Sequence, residues 1–406
     1  MEKATNKDGI KVLVAGSVLQ LFLGIIYVWS VFVQPVSEAL VWDIDKVKLT
    51  SSYMLCCFVL GILAGGRLQA KISASKIVLA GGILMAIGML VTSFVSGGAA
   101  WLIYITYGII GGFGVGMAYN TVISSAQKWF PKKRGLATGI SVCTFGFSTV
   151  IFAPLVQVLI KSFGLDASFR ILAAAFAVIT VLLFSFIKMP TDSGVKTSSP
   201  QEVQTQKQYT VGEILKTKEF YFIALSMMLL TAAYFILNPS FKTFAQDRGF
   251  SDTIGTVIVM LTGIASAVGR LAVPAMADKI GYEKSAIIIM IATAVCTALL
   301  CFASGILFMA AIAVIAFCYG GSSGIYPVIT SEQFGLKNVG ANYGAVMVGF
   351  ALSALFFPML IGLIGSVIVK FLVLTALALI GALMIVLLSL SKKENNNKRN
   401  VKNAHN

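Results

Sequence analysis

Long apolar runs separated by short polar connections dominate the chain. Twelve runs are each long enough to cross a bilayer as a helix, for which about 20 apolar residues suffice. We number them spans 1–12, and their predicted bounds are 12–37, 48–70, 75–95, 100–127, 135–160, 168–189, 219–242, 252–275, 283–303, 305–330, 339–365 and 367–391. The pattern predicts an all-α membrane protein. Span 1 is too long for the apolar region of a signal peptide, so we expect it to remain uncleaved.

One connection is much longer than the others and divides the spans six and six. It is rich in Ser, Thr, Gln and Lys, which is typical of a solvated linker. We therefore predict an N-terminal six-helix bundle at 1–189, a cytoplasmic linker at 190–218, a C-terminal six-helix bundle at 219–391 and a cytoplasmic tail at 392–406.

The two halves of the chain resemble each other. "GRLQAKI" at 66–72 matches "PAMADKI" at 274–280, at an offset of 208, and Tyr27 in span 1 matches Tyr234 in span 7, at an offset of 207. A nearly constant offset indicates duplication. Two six-helix halves related by an axis along the membrane normal are the arrangement of major facilitator transporters, which bind substrate near the midplane between the halves.

Composition excludes several classes of protein. The chain is 58% hydrophobic and only 12% charged, unlike a soluble enzyme, a coiled coil or a disordered chain. An outer-membrane barrel does not contain such long apolar runs. The six cysteines lie in apolar runs and the single histidine lies in the tail. We therefore expect no disulfide framework, no metal site and no cofactor.

The basic residues predict the orientation of the chain. With both termini in the cytoplasm, 23 of the 31 Lys and Arg residues lie in cytoplasmic segments and 7 in outside loops. This asymmetry predicts a multi-pass protein of the cytoplasmic (inner) membrane with both termini inside. It also explains the net charge of +15 without a nucleic-acid partner. We expect a monomer whose basic tail favours anionic lipid.

Arg270 is the one ionisable residue deep inside a span. It precedes Asp278, at the predicted cytoplasmic end of span 8, by eight residues, or about 12 Å of helix. A charge at that depth is costly and indicates function, and a guanidinium fork fits a carboxylate with two hydrogen bonds. Arg270 is thus a candidate anion-binding residue, with hydrogen bonding to carbonyls and tyrosines in packing as the alternative. Thr262 and Ser266 share its helix face and fit either a cavity wall or a small-residue helix contact.

Further polar and aromatic residues lie within apolar spans. Tyr27 belongs to a stripe on span 1, Tyr119 follows the glycine-rich part of span 4, and Tyr319 and Ser323 lie in "FCYGGSSGIYP" of span 10. A phenol hydroxyl donates a hydrogen bond to an anion without adding charge. Aromatic packing is the alternative role for each tyrosine. The stripe on span 1 consists of Gln20, Gly24, Tyr27, Val31 and Gln34.

The loop after span 8, "MADKIGYEK", matches a loop signature of major facilitator proteins. Asp278, Lys279 and Gly281 carry the match, and we predict that they form a conformational latch that holds helix ends together on the cytoplasmic side. In the first half, Gln69 and Ala70 stand near the expected acid. We expect the latch there to be weaker.

Four segments resemble the oxalate/formate antiporter family of the major facilitator superfamily, which includes bacterial pyruvate and lactate carriers related to monocarboxylate transporters. They are "YVWSVFVQPV", "KWFPKKRGLATG", "GRLAVPAMADKIG" and "GGSSGIYPVITSEQFGLKNVGANYG". The resemblance implies a substrate-binding arginine at Arg270 and pocket aromatics at Tyr27 and Tyr119. Tyr319 stands where oxalate transporters have a tryptophan, and Ser323 where they have a tyrosine.

Span 11 departs from the oxalate pattern. Oxalate transporters place a second substrate-binding cation, a lysine, where this chain has Phe350. A second carboxylate buried without neutralisation would cost several kcal/mol. We therefore predict a carrier of a small monocarboxylate, such as pyruvate, lactate or formate, with Phe350 as an apolar wall.

Other functions stay open. The alternatives are an oxalate/formate-type anion exchanger and an exporter of another small molecule with the same fold. A non-transporting sensor would require an added domain, and an enzyme would require a nucleophile–base pair or a metal cluster that the sequence does not show. The sequence leaves open whether a proton or a counter-anion is coupled to transport.

Overall fold

Helices occupy all twelve predicted spans in the computed structural model. It describes residues 2–190, 208–237, 249, 251–362 and 364–404, and none of these lies in a strand. The helices are Glu2–Leu23, Gly24–Val28 and Trp29–Leu40 in span 1, Ile44–Leu68 in span 2, Ala74–Thr92 in span 3, Tyr104–Gly111 and Gly112–Trp129 in span 4, Arg134–Phe163 in span 5, Leu165–Leu183 in span 6, Lys218–Leu237 in span 7, Asp252–Ile280 in span 8, Tyr282–Leu299 in span 9, Gly305–Phe334 in span 10, Val339–Gly362 in span 11 and Val367–Ala404 in span 12. Within the described residues, ten helical segments are long and apolar enough to cross a membrane, and spans 4 and 8 are outside that set. The all-α prediction is confirmed.

Spans 1 and 4 depart locally from the regular α-helix. The helix of span 1 begins at Glu2, before the apolar run, and tightens to a 3₁₀ segment at Gly24–Val28. Span 4 begins as a π-helix over Tyr104–Gly111. Both rare forms occur often where a helix is under strain or carries function. The predicted stripe on span 1 therefore crosses a change of helical winding.

The chain divides into two compact units. Unit 1 comprises Met1–Tyr209 and Phe334–Ala345, and unit 2 comprises Thr210–Gln333 and Val346–Asn406. Unit 1 thus includes the beginning of span 11. The predicted division at the linker stays a prediction, since residues 191–207 lie outside the described residues.

The structure describes the helix of span 7 as far as Leu237. The predicted end of span 7, at 242, also lies outside the described residues. The helix of span 12 continues to Ala404, past the predicted beginning of the tail at 392.

A pair of glycine contacts recurs in the two units. In each unit, two helices pack so closely that a Cβ on the glycine of either helix would collide with a backbone carbonyl of the other. The contacts are Gly61 against Phe113 and Gly116 against Phe58 in unit 1, and Gly269 against Phe317 and Gly320 against Ser266 in unit 2. Spans 2 and 8 correspond at an offset of 208 and spans 4 and 10 at 204, so the internal repeat extends to the packing.

Candidate functional site

Arg270 lies in the helix of span 8 within unit 2 and is only 5% exposed. One turn earlier, Ser266 is equally buried, and its Oγ has no hydrogen-bond partner within the described part of the chain. Thr262, a further turn away, is also buried. A buried hydroxyl without a partner costs about 1–3 kcal/mol, so the Ser266 hydroxyl is a candidate ligand donor.

Close packing on span 10 supports the backbone around Arg270. A Cβ at Gly324 would lie 3.0 Å from the carbonyl oxygen of Arg270, and Gly269 and Gly320 make the closest approaches between the two helices. Any side chain at these glycines would force the helices apart. The glycines of "FCYGGSSGIYP" therefore hold the arginine-bearing helix in place.

Tyr319 and Phe350 belong to one aromatic cluster in unit 2. The ring of Tyr319 stacks on that of Tyr234, with centroids 3.9 Å apart and planes within 6° of parallel. The ring of Phe235 packs edge-on against both predicted residues, 5.7 Å from Tyr319 and 5.0 Å from Phe350. Tyr319 and Phe350 are almost fully buried. We call Tyr234, Phe235, Tyr319 and Phe350 the unit 2 cluster.

Ser323 follows Tyr319 by one turn of span 10. Its Oγ donates to the carbonyl oxygen of Tyr319 at 3.4 Å. Tyr326, farther along the same helix, is fully buried and donates its hydroxyl to Ser226 Oγ at 2.9 Å. The Tyr326 contact joins spans 7 and 10, so this tyrosine contributes to packing.

Tyr27 and Tyr119 meet in a second aromatic cluster, in unit 1. The ring of Phe145 lies 5.3 Å from Tyr27 and 4.7 Å from Tyr119, and Phe58 lies 5.2 Å from Tyr119. Gln20 Nε2 donates to the carbonyl oxygen of Tyr119 at 3.2 Å. We call Tyr27, Phe58, Tyr119 and Phe145 the unit 1 cluster.

Sequence reasoning missed three phenylalanines of these clusters, Phe58, Phe145 and Phe235, although the internal repeat contained a signal for Phe145. Phe145 precedes Phe350 by 205 residues, close to the 207 that separate Tyr27 from Tyr234. The offset of 205 that relates span 5 to span 11, as between Gly135 and Gly340, would have identified Phe145 from Phe350. Phe235 has no comparable signal, because it is one apolar residue among many in span 7.

Two amides of unit 1 make contacts with the backbone and with hydroxyls. Asn120, next to Tyr119, donates through Nδ2 to the carbonyl oxygens of Ile62 at 2.9 Å and Gly340 at 2.7 Å. Gln69 accepts a hydrogen bond from Ser124 Oγ at 2.8 Å. Uncharged hydrogen-bonding groups thus join span 2 to span 4 at Ile62 and Gln69.

The predicted latch residues lie at a sharp junction between spans 8 and 9. Gly281 is the only residue between the two helices, and its φ of 95° is in a region that favours glycine. Asp278 accepts a hydrogen bond from the hydroxyl of Tyr282, and Lys279 is exposed. The latch function of these residues stays a prediction.

Membrane-length helices and an internal repeat are the features of a multi-pass membrane transporter. The model of the family described as Major Facilitator Superfamily matches residues 14–358, with a second match at 223–405. The chain belongs to this superfamily. It is a transporter and not an enzyme.

Similar proteins include carriers of small anions. The chain is 27% identical over 349 residues to the uncharacterized MFS-type transporter YhjX of Escherichia coli K12, covering 84% of this chain and 85% of that protein. It is 25% identical to the oxalate:formate antiporter of Oxalobacter formigenes, covering 82% and 79%. It is 23% identical to the apicoplast pyruvate carrier 1 of Toxoplasma gondii, covering 78% and 69%.

Solved structures show the same fold. The chain is similar to the major facilitator transporter FucP in its outward conformation, with a TM-score of 0.71, 14% identity and coverage of 94% of this chain and 99% of that chain. At this identity the likeness concerns the fold alone.

Proposed function

We propose that this transporter moves a small monocarboxylate, such as pyruvate, lactate or formate, by alternating access, and that Arg270 binds the carboxylate. The observation that carries the proposal is a buried guanidinium that follows, by one turn of the same helix, a buried hydroxyl, Ser266 Oγ, which has no partner in the described part of the chain. The relatives named as an oxalate:formate antiporter and a pyruvate carrier support a small carboxylate as substrate.

The chemistry of the two groups suits a carboxylate. A guanidinium offers two parallel N–H groups that match the two carboxylate oxygens, and the Ser266 hydroxyl can donate a third hydrogen bond. Hydrogen bonds to a charged group contribute about 1.5–3 kcal/mol each. An apolar surrounding strengthens them, because water does not compete.

Phe350 supports a monoanion as substrate. Its ring is buried against Phe235 in the unit 2 cluster, at the position that the resemblance assigns to a second cation. One buried cation neutralises one carboxylate. Oxalate/formate exchange is the second candidate function, and the similarity to the oxalate:formate antiporter favours it.

Uptake of labelled pyruvate, lactate, formate and oxalate into proteoliposomes tests the proposal. A pH gradient should drive uptake if a proton is coupled, and a preloaded anion should drive it if the carrier exchanges anions. We expect a monocarboxylate to be taken up and oxalate to compete weakly. Preference for oxalate would refute the monoanion proposal and support the exchanger. The roles of Tyr27 and Tyr119 in substrate binding stay predictions. So do the cytoplasmic location of both termini and the monomeric state.

Substitution of Arg270 tests the site. Arg270→Ala should abolish substrate binding, and Arg270→Lys should weaken apparent affinity at least tenfold, because an ammonium does not reproduce the fork. Arg67→Lys is the matched control, since Arg67 is exposed at the end of span 2, and it should stay within twofold of the unmodified protein. Ser266→Ala should weaken affinity by about ten- to a hundredfold, the equivalent of one hydrogen bond to a charged group. Normal uptake by Arg270→Ala would refute the assignment.

A further inference from the structure

A cavity of about 240 Å³ lies within unit 1, between spans 1 and 2. Its lining is mainly apolar, with hydroxyl groups from Tyr27, Ser30 and Ser51. Lys48 is the single charged residue among the lining residues. A mostly apolar cavity with one cation and a few hydroxyls suits a small ligand that carries one negative charge.

The ion pair of Lys48 is weak enough to exchange. Lys48 Nζ lies 2.8 Å from Asp45 Oδ1, and the two side chains are 58% and 80% exposed. Ion pairs this exposed contribute only about 0.2–1 kcal/mol. A carboxylate ligand can therefore replace Asp45 at little cost in free energy.

The cavity extends from Lys48 towards the unit 1 cluster. Lys48, Ser51 and Leu55 follow one another at i, i+3 and i+7 on span 2, so the cavity wall runs about 10 Å along this helix. Tyr27 lines the same cavity from span 1, and its ring packs on Phe145. The cavity thus connects an exposed cation with an aromatic residue of the unit 1 cluster.

We propose that Lys48 and this cavity form a subsite in unit 1 that collects small carboxylates. The ammonium attracts the carboxylate, the Ser30 hydroxyl offers a hydrogen bond, and the apolar wall receives the C–H groups of the ligand. The Ser51 hydroxyl already donates to the carbonyl oxygen of Lys48 at 2.7 Å, so it belongs to the wall. A cation at the mouth of a low-dielectric cavity raises the local concentration of anions. The inference rests on the proposed function for the identity of the anion, though not for its charge.

Modification of a cysteine inside the cavity measures this attraction without knowledge of the substrate. Ser51→Cys is introduced into full-length protein whose six native cysteines are replaced, and its reaction rates with an anionic and a cationic methanethiosulfonate are compared. Lys48→Gln should lower the ratio of the anionic to the cationic rate at least threefold. Lys46→Gln is the matched control, because Lys46 is exposed, lies two residues away and does not line the cavity. Equal ratios in the two variants would overturn the proposal.

Transport kinetics on the native-cysteine protein provide a second measurement. Lys48→Gln should raise KM for the labelled monocarboxylate about three- to tenfold at low ionic strength and leave kcat nearly unchanged. Lys48→Arg should retain the KM, and salt should reduce the difference. If a monocarboxylate is transported and Lys48→Gln matches Lys46→Gln, the subsite is wrong and the proposed function stands. If the labelling ratio depends on Lys48 and no carboxylate is transported, the anion subsite stands and the proposed function fails.

Discussion

Replacing Gly269 by alanine tests whether the packing of span 8 on span 10 positions Arg270. A Cβ on Gly269 would collide with the carbonyl oxygen of Phe317. The obstacle is backbone, so no rotamer change relieves it. Gly263 provides a matched control on the same helix, because a Cβ there meets nothing within 4 Å in the described part of the chain.

The expected magnitude follows from the difference between the two sites. Both substitutions exchange glycine for alanine within a helix and gain about 1 kcal/mol of helix propensity. Only Gly269→Ala also forces extra volume into a packed contact, which costs about 1–3 kcal/mol. Gly269→Ala should therefore be about 1–3 kcal/mol less stable than Gly263→Ala, whatever the propensity gain in a membrane.

Thermal unfolding in detergent, followed by circular dichroism, measures the stability difference, and proteoliposome uptake measures substrate affinity. Gly263→Ala should match or slightly exceed the unmodified protein in both. Gly269→Ala should unfold at a lower temperature and show a higher KM, because Arg270 directly follows the displaced residue. The same unfolding temperature and KM in both variants would refute the proposed role of this contact.

Two further substitutions test the aromatic wall and the helix junction. Phe350→Lys should lose monocarboxylate transport and gain inhibition by oxalate, since a buried uncompensated charge costs about 3–5 kcal/mol and a dianion would compensate it. Phe350→Met is the uncharged control. An equal effect of oxalate on the two variants would contradict the charge argument. Gly281→Ala should destabilise unit 2 by about 1–3 kcal/mol in thermal unfolding, because its φ of 95° strains any other residue. Gly212→Ala, where a Cβ has open space, should not.

The pattern along the chain was sufficient to predict the twelve helices, and four segments carried the resemblance to the family. A bilayer requires a run of about 20 apolar residues, so the lengths of the runs and their polar interruptions report the spans directly. Duplication is visible as a nearly constant offset. The depth of Arg270 follows from counting residues along one helix, and the structure places that residue in a buried position.

The meeting of particular side chains required the tertiary structure. These contacts depend on the rotation of each helix about its axis. In this way Phe235 contacts both Tyr319 and Phe350. Asn120 likewise donates to backbone carbonyls, while its neighbour Tyr119 packs on Phe145. In a span that is apolar all round, no amphipathic stripe reports that rotation. The rotation is decided by close contacts between helices, such as those at Gly269 and Gly320, whose partners lie on another helix and far along the chain.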